Sequence, residues 1–365
     1  MKCKKCQQQF EVTEIDRQFY TKMDVPEPTH CNTCREQRRL VWRNEWNLYK
    51  RKCDLTGKDI ISYISPDKSY KVYGLNAWFG DDWDPLEYGQ DFDFTRPFFE
   101  QFDELLHNVP LINLLVGESE NSDYTNYSLA NKNCYMVSAA DYNEDCYYSG
   151  YLFRSRDCVD CLFVSDSELC YQCTDCERCY SVYYSQYLKN CQECIGCFNL
   201  IGKQYCIFNK QYKKEDYDRI KKEILSHPQK IKEEFQKLVN PNIKNIRNCE
   251  ECIGNNIFSC KNCINCYDLI DSRDCKYVNY GIGSKDCMDV NGCPDDELCY
   301  ETVAAPQCYN VKFSSSCWAR SSNLAYCFLC RASNDCFGSI SLHREKYCIL
   351  NKKYTEEEYK KLVPQ

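Results

Sequence analysis

The sequence lacks several features that would place it in a common functional class. It has no apolar run near the ~20 residues that a membrane-spanning helix needs. Its first residues, MKCKKCQQQF, lack the hydrophobic core of a secretory signal. No nucleophile elbow, phosphate-binding loop or dinucleotide fingerprint occurs, and the four histidines are scattered. We therefore expect a cytoplasmic protein with no membrane partner, and we can assign no small-molecule substrate or catalytic residue.

Charge and cysteine are both distributed unevenly. The net charge of −8 argues against polyanion binding by the whole surface, but it allows a local basic face. Five of the 32 cysteines lie in residues 1–123 and the other 27 follow. In a reducing compartment, cysteines are more typical of metal sites or buried thiols than of disulfides. The shift in composition predicts a domain boundary near residue 122.

Two CxxC pairs open the chain, formed by Cys3 with Cys6 and by Cys31 with Cys34. A CxxC turn places two thiolates on one small loop, and two such loops complete a tetrahedral site. Binding of the ion would stabilise a segment too small to fold alone. These four cysteines predict one structural Zn²⁺ site, closed to substrate because all four ligands come from the protein.

The same run carries a resemblance. With the FY pair at Phe19 and Tyr20 and the approach from Pro28 to Arg35, it resembles the zinc-ribbon (treble-clef-like) module that begins many uncharacterised bacterial proteins. Together with RLVWRNEWNLYKRKCDLTGKDIIS, DFDFTRPFFEQFDELLHNVP and the later cysteines, it is similar to cysteine-rich proteins of uncultivated small-genome bacteria. Some relatives bear a CoA-transferase label, but no residue here supports that chemistry.

A basic and aromatic segment follows the zinc-binding motif. Trp42, Trp46 and Tyr49 recur at helical spacing, which predicts an aromatic helix face. Basic residues between aromatics can grip phosphates and stack bases, so RNA contact is one interpretation. The other interpretation is that the tryptophans pack on the zinc ribbon, and we favour this one for the tryptophans. The candidate nucleic-acid-binding residues are Arg35, Arg38, Arg39, Arg43, Lys50, Arg51 and Lys52.

Residues 53–121 are nearly free of cysteine and predict a small α/β region. Cys53 stands alone and is interpreted as a packing residue. A helix is expected from Pro97 to about His107, with Thr95 as its N-cap. The acidic residues from Asp81 to Glu104 are expected to form ion pairs within the chain or to lie in solvent.

The remaining chain repeats every twelve residues. The register is visible in two sets of cysteines, which are Cys134, Cys146, Cys158 and Cys170, and then Cys263, Cys275, Cys287 and Cys299. Twelve residues are too few for a helical hairpin but suffice for a strand and a turn. The repeat therefore predicts a β-solenoid with cysteine columns inside it. Its many Tyr, Phe, Leu and Val residues favour two units per coil, since one unit encloses little space.

The array is itself duplicated. QYCIFNKQYKKEDY at residues 204–217 matches KYCILNKKYTEEEY at residues 346–359. Each copy runs into a polar stretch of helical character. The fold expected is thus mainly β, with a zinc ribbon and small α/β region followed by a duplicated cysteine-ladder solenoid. The predicted units are residues 1–52, 53–121, 122–212, 213–247 (a helical connector) and 248–365.

CxxC pairs within the array raise a second metal hypothesis. Three sets have spacings that suit zinc or an iron–sulfur cluster. They are Cys158, Cys161, Cys170 and Cys173; Cys176, Cys179, Cys191 and Cys194; and Cys249, Cys252, Cys260 and Cys263. The periodicity alone would bring thiols together, so buried, protonated filler thiols are the simpler interpretation, and disulfides are a third. We expect a non-enzymatic zinc scaffold with a protein or RNA partner, or else a multi-metal storage or electron-transfer protein.

Overall fold

The computed structural model describes residues 1–22, 24–242, 244–261, 263–270, 281–282, 293–294 and 321–363. Within these ranges the protein is mainly β, as predicted, and most strands belong to a duplicated β-solenoid. The repeat cysteines Cys275, Cys287 and Cys299 lie outside the described residues. So do the side chains of most of residues 264–294.

The first 112 residues form a mixed region of short elements. Two helices come first, α1 (Glu14–Lys22) and α2 (Asn32–Leu40). A small collar follows, in which an antiparallel strand pair and a parallel strand pair flank two helices. Its elements are β1 (Tyr49–Lys52), β2 (Asp59–Ser62), β3 (Val72–Tyr73), α3 (Leu75–Trp78), α4 (Phe98–Asn108) and β4 (Leu111–Ile112). The helix predicted from Pro97 to about His107 is present as α4, although its N-cap residue is Pro97 and not Thr95.

The predicted aromatic helix is wrong beyond Leu40, where α2 ends. Turns follow, and Tyr49 already belongs to β1. The two tryptophans have different partners, one in each solenoid half. Trp42 packs on Phe328 with ring centroids 5.4 Å apart. Trp46 covers Gly150, where a Cβ would collide with the indole ring.

The first solenoid half begins at Val116, six residues before the predicted boundary. Its strands are β5 (Val116–Gly117), β6 (Asn126–Leu129), β7 (Ser138–Asp141), β8 (Gly150–Phe153), β9 (Leu162–Ser165), β10 (Glu168–Tyr171), β11 (Thr174–Glu177), β12 (Tyr180–Tyr183), β13 (Gln192–Ile195), β14 (Gln204–Ile207) and β15 (Lys210–Gln211). Two helices follow it, α5 (Lys214–Ile224) and α6 (Pro228–Leu238).

The second half repeats this plan. Its described elements are β16 (Ile246–Arg247), β17 (Ile253–Phe258), β18 (Ile264–Ile270), β19 (Gly281–Ile282), β20 (Cys293–Pro294), β21 (Ser322–Ala325), β22 (Asn334–Phe337), β23 (Lys346–Ile349), β24 (Lys352–Lys353) and α7 (Glu356–Leu362). The duplicated sequence motif forms the same structure twice: a parallel strand, an antiparallel return strand and a helix.

One twelve-residue unit makes one complete coil, so the expectation of two units per coil is wrong. From β5 to β14 and from β21 to β23, strands pair in parallel with a shift of twelve residues, as Cys194 does with Cys206, whereas β16 and β17 pair with a shift of eleven. Every third residue points inward, giving four interior side chains per coil. The interior admits Cys, Ser, Asn and Ala, together with single larger residues such as Leu152 and Val164. Most tyrosines point outward instead, which is why their bulk does not widen the coil.

The coil closes because the backbone turns at every third residue. From Glu118 to Phe208 each third residue has a positive φ, and for the non-glycine residues it lies between 46° and 60°. This conformation costs about 1 kcal/mol or more for most residues, and Asn, Asp and Gly tolerate it best. The parallel hydrogen bonds between coils offset that cost by pairing the backbone groups of each side.

The collar holds the two solenoid halves through separate contacts. Toward the first half, the contact runs through Asn44 in the segment before β1: the Asn126 amide donates to the Asn44 carbonyl at 2.9 Å, and the Asn44 amide donates to the Tyr63 carbonyl of the collar at 2.6 Å. Toward the second half, Ser341 Oγ donates to the Pro110 carbonyl at 2.9 Å. A core of collar residues such as Leu105 also includes buried residues of the last coils, such as Ile340. The collar and the end of the second half thus share one hydrophobic core.

Candidate metal centre and thiol core

Two backbone turns bring the N-terminal cysteines together. Cys3 precedes a tight turn in which the Gln7 N–H donates to the Cys3 carbonyl at 3.0 Å and Gln7 itself has a φ of 62°. Cys31 is the N-cap residue of α2, and Cys34 lies in its first turn. The turn from Cys3 to Gln7 and the start of α2 are therefore the two elements that position the four thiols, as the CxxC spacing predicts.

The four sulfur atoms form a compact cluster. Those of Cys3, Cys6, Cys31 and Cys34 all lie within 4.8 Å of one another. The Sγ atoms of Cys6 and Cys31 are 3.7 Å apart. Cys3 is fully buried, whereas Cys6 faces solvent. This arrangement offers four soft ligands and can hold a metal ion.

The pKa values of the cluster thiols also favour binding of a cation. Burial raises the pKa of the Cys3 thiol, but backbone N–H groups near Cys31, Cys6 and Lys5 outweigh it and lower that pKa to about 5. Burial and the neighbouring thiols raise the pKa of Cys34 to about 12. One thiolate forms readily, and further thiolates need a positive ion to offset their mutual repulsion.

The array cysteines lie in a different environment. Twelve of them form one buried cluster inside the first solenoid half, together with Val, Leu and Ala side chains. Their thiols donate to backbone carbonyls, as Cys173 does to Tyr171 at 3.4 Å and to Val182 at 3.2 Å. Burial raises the pKa of Cys173. A thiol with a raised pKa that donates to the backbone, as that of Cys173 does, is a poor ligand and a poor nucleophile.

The predicted array sets follow the columns of the solenoid and do not form compact four-thiol sites. In the second set Cys179 and Cys191 share a column, but Cys194 stacks on Val182. Cys158 and Cys161 lie on adjacent sides of one coil, and Cys170 and Cys173 occupy the same sides of the next. Cys249 and Cys252 are half-buried, at the start of the second half. Of the residues that the structure describes, only Cys3, Cys6, Cys31 and Cys34 bring three or more potential ligands within 4.8 Å of one another.

The candidate nucleic-acid-binding residues do not share one exposed face. Arg35 and Arg39 are buried, and the Arg35 guanidinium donates to the His30 carbonyl at 2.6 Å. Arg43 forms a buried ion pair with Glu45. Of the remaining residues, Arg51 has only 8% of its side chain exposed. The exposed ones are Arg38, Lys50 and Lys52.

Two further groups of residues have structural roles that the sequence analysis missed. Glu45 is buried between Arg43 and the Tyr151 hydroxyl, where it ties the amino-terminal segment to the first solenoid half. Asn209 and Asn351 end the two halves with side-chain amides that pair with the preceding coil. The sequence pointed to these two asparagines only through the Asn-Lys pair that both copies share.

Comparisons with known proteins add no assignment. Across the residues that the structure describes, no helix is both long enough and apolar enough to cross a membrane. No known family model matches the chain, and no curated protein matches it either.

Proposed function

We propose that this protein is a zinc-binding, non-enzymatic scaffold that presents a repeat surface to a protein partner. The observation that carries the proposal is the exchange of residue types within the interior columns. In one column Ser149, Cys161, Cys173, Ser185 and Cys197 follow one another at twelve-residue steps. A thiol that a hydroxyl can replace in the next coil serves as packing.

The chemistry of the N-terminal cluster favours zinc. Four thiolates at the usual Zn–S bond length of about 2.3 Å place sulfur atoms about 3.8 Å apart in a tetrahedron. The separation of 3.7 Å between Cys6 and Cys31 fits that value. With four protein ligands the ion would have no open position, so its role would be to stabilise residues 1–40.

Burial of the arginines favours a protein partner over RNA. Arg35, Arg39 and Arg43 are engaged within the fold, so they are not available to neutralise phosphates. A reducing, cytoplasmic setting also fits, since the twelve cysteines buried in the first solenoid half are free thiols. The RNA alternative predicts binding that weakens steeply with salt, which a labelled single-stranded RNA would reveal by fluorescence anisotropy.

One observation favours the second candidate, a multi-metal storage or electron-transfer protein. All four inward residues of one coil are cysteines, namely Cys170, Cys173, Cys176 and Cys179, and each is buried. Such a ring could take up thiophilic ions if its protons were displaced.

Metal content per chain and visible absorption of the chain purified without oxygen together separate the two candidates: more than one zinc ion per chain would support storage, and zinc bound to thiolates gives no visible band. The scaffold predicts no absorption beyond that of aromatic residues and a zinc–thiolate shoulder in the ultraviolet. Charge-transfer bands in the visible region would instead support iron–sulfur or other metal loading of the array, and the scaffold proposal would fail.

A further inference from the structure

A patch of aromatic side chains lies exposed on one corner of the first coils. The tyrosine patch consists of Tyr124, Tyr135, Met136, Tyr147 and Tyr148, which are 36–56% exposed. Its rings meet edge to face: the centroids of Tyr124 and Tyr135 are 5.4 Å apart, and those of Tyr135 and Tyr148 are 5.8 Å apart. Five large side chains so exposed and so close together are typical of a binding surface.

The same corner is covered farther along the solenoid. Backbone pairing connects Tyr135 and Tyr147 through successive coils to Tyr183 and then to Ile195. Ile195 and Ile207, the last residues of this column, are buried beneath α5 and α6. The column therefore begins in solvent and ends under two amphipathic helices of the same chain.

Lysines of the covering helices contact the tyrosine rings. Lys221 of α5 lies over the Tyr183 ring, 5.0 Å from its centroid, and pairs with Glu193 at 2.8 Å. Lys232 of α6 lies 6.0 Å from the Tyr184 centroid. An ammonium group over a tyrosine face is attracted by the ring as well as by nearby carboxylates.

The uncovered stretch has the charge that such a helix requires. Asp123 and Asp160 are exposed and occupy the two ends of the same corner. Carboxylates around aromatic rings attract a cationic partner and repel a polyanion.

We propose that the tyrosine patch binds a lysine-bearing amphipathic helix of a partner protein, as α5 and α6 cover the same corner within the chain. Apolar residues of that helix pack on Tyr135, Met136 and Tyr148, while its lysines face the rings and Asp160. The inference rests on the proposed scaffold function and names the partner's chemistry. It does not depend on the metal content of the chain.

The test uses a fluorescent peptide of residues 213–239, which spans α5 and α6, added to the full chain. Fluorescence anisotropy should show saturable binding. The double variant Tyr135→Ser/Tyr148→Ser should weaken binding about tenfold or more, since buried aromatic residues carry most interface affinity. Asp160→Lys in the chain, or Lys221→Glu in the peptide, should also weaken it through charge.

Tyr142→Ser is the matched control, because Tyr142 is 54% exposed but lies outside the tyrosine patch. It should leave the affinity unchanged, and circular dichroism should show every variant folded. Absence of saturable binding, or equal binding by the double variant, would overturn the proposal. So would a dimer of the full chain that the double variant abolishes in sedimentation, because the patch would then bind a second copy. Each of these results leaves the zinc content, and hence the test of the scaffold, unchanged.

Discussion

The side-chain amide of Asn351 pairs with both backbone groups of Ile340. Its Oδ1 accepts from the Ile340 N–H at 2.7 Å, and its Nδ2 donates to the Ile340 carbonyl at 2.8 Å. Asn209 makes the same two bonds to Phe198, both at 2.8 Å. The amide takes the place of the backbone that a following coil would supply, so each half ends without unpaired groups at this position.

Loss of either amide should destabilise the end of its solenoid half. Asn209→Ala and Asn351→Ala each leave a buried or half-buried backbone N–H and carbonyl unpaired, which should lower the free energy of unfolding by about 1–3 kcal/mol. Chemical denaturation checks this. Asn190→Ala is the control, because Asn190 is exposed and also has a left-handed backbone. If Asn190→Ala costs as much, the amide pairing is not the cause.

Serine should replace interior cysteines at little cost. In the same column Ser185 Oγ donates to the Tyr183 carbonyl at 2.9 Å, as Cys173 Sγ does to Tyr171. Cys161→Ser and Cys173→Ser should therefore change the free energy of unfolding by less than about 1.5 kcal/mol. They should leave the metal content per chain unchanged.

Cys3→Ser is the contrasting variant, because it removes one of the four clustered thiols proposed to bind zinc. It should lose the metal and the thermal transition of residues 1–40. A loss of metal in Cys173→Ser would contradict the packing role of the array thiols.

The buried carboxylate of Glu45 should be essential to docking of the amino-terminal segment. Glu45→Gln leaves the Arg43 guanidinium buried without its counter-charge, which should cost about 3–5 kcal/mol. The control is Asp59→Asn in the exposed ion pair with Lys52, where a change within about 0.5 kcal/mol is expected. Comparable losses in the two variants would show that Glu45 is no more important than a surface charge.

The repeat was readable from the sequence because its period appears in the cysteines, and a solenoid follows from a unit of twelve residues. The number of units per coil could not be predicted from the sequence, since it depends on whether each side chain points into or out of the coil. The run Cys170, Cys173, Cys176 and Cys179 carries the missing signal. Their spacing of three residues matches a coil that turns at every third residue, with all four side chains inside it.

The candidate site was predictable for the same local reason. Cys3, Cys6, Cys31 and Cys34 are brought together by two short turns that their own spacing specifies. The packing of Trp46 was not predictable, because its partners come from a distant part of the chain. Gly150 lies more than a hundred residues from Trp46, and no local pattern connects them.

Acid should weaken contact between the collar and the second half through His343. This ring lies 4.1 Å from Trp78, and burial, then Arg331 and Arg344, lower its pKa from 6.5 to about 4. The folded state binds the proton more weakly than the unfolded state. Stability is therefore complete above pH 6.5 and falls as the pH drops toward 4.

The free energy of unfolding should be measured at neutral pH and at about pH 4.5. His343 should account for about 1–2 kcal/mol of the decrease between the two. His343→Gln cannot take up the proton, so its acid-induced loss should be smaller by that amount. His107→Gln is the control, because His107 is exposed at 37%. An equal acid-induced loss in wild type and His343→Gln would contradict the assignment.

We propose that the chain binds one metal ion at Cys3, Cys6, Cys31 and Cys34, while the array thiols serve as packing. Metal content per chain, measured by mass spectrometry on anaerobically purified protein together with its free-thiol count, tests this most directly. The account predicts one zinc ion per chain and, after denaturation in chelator, every cysteine titrating as a thiol. Several metal ions per chain, or thiols missing from the count, would contradict it.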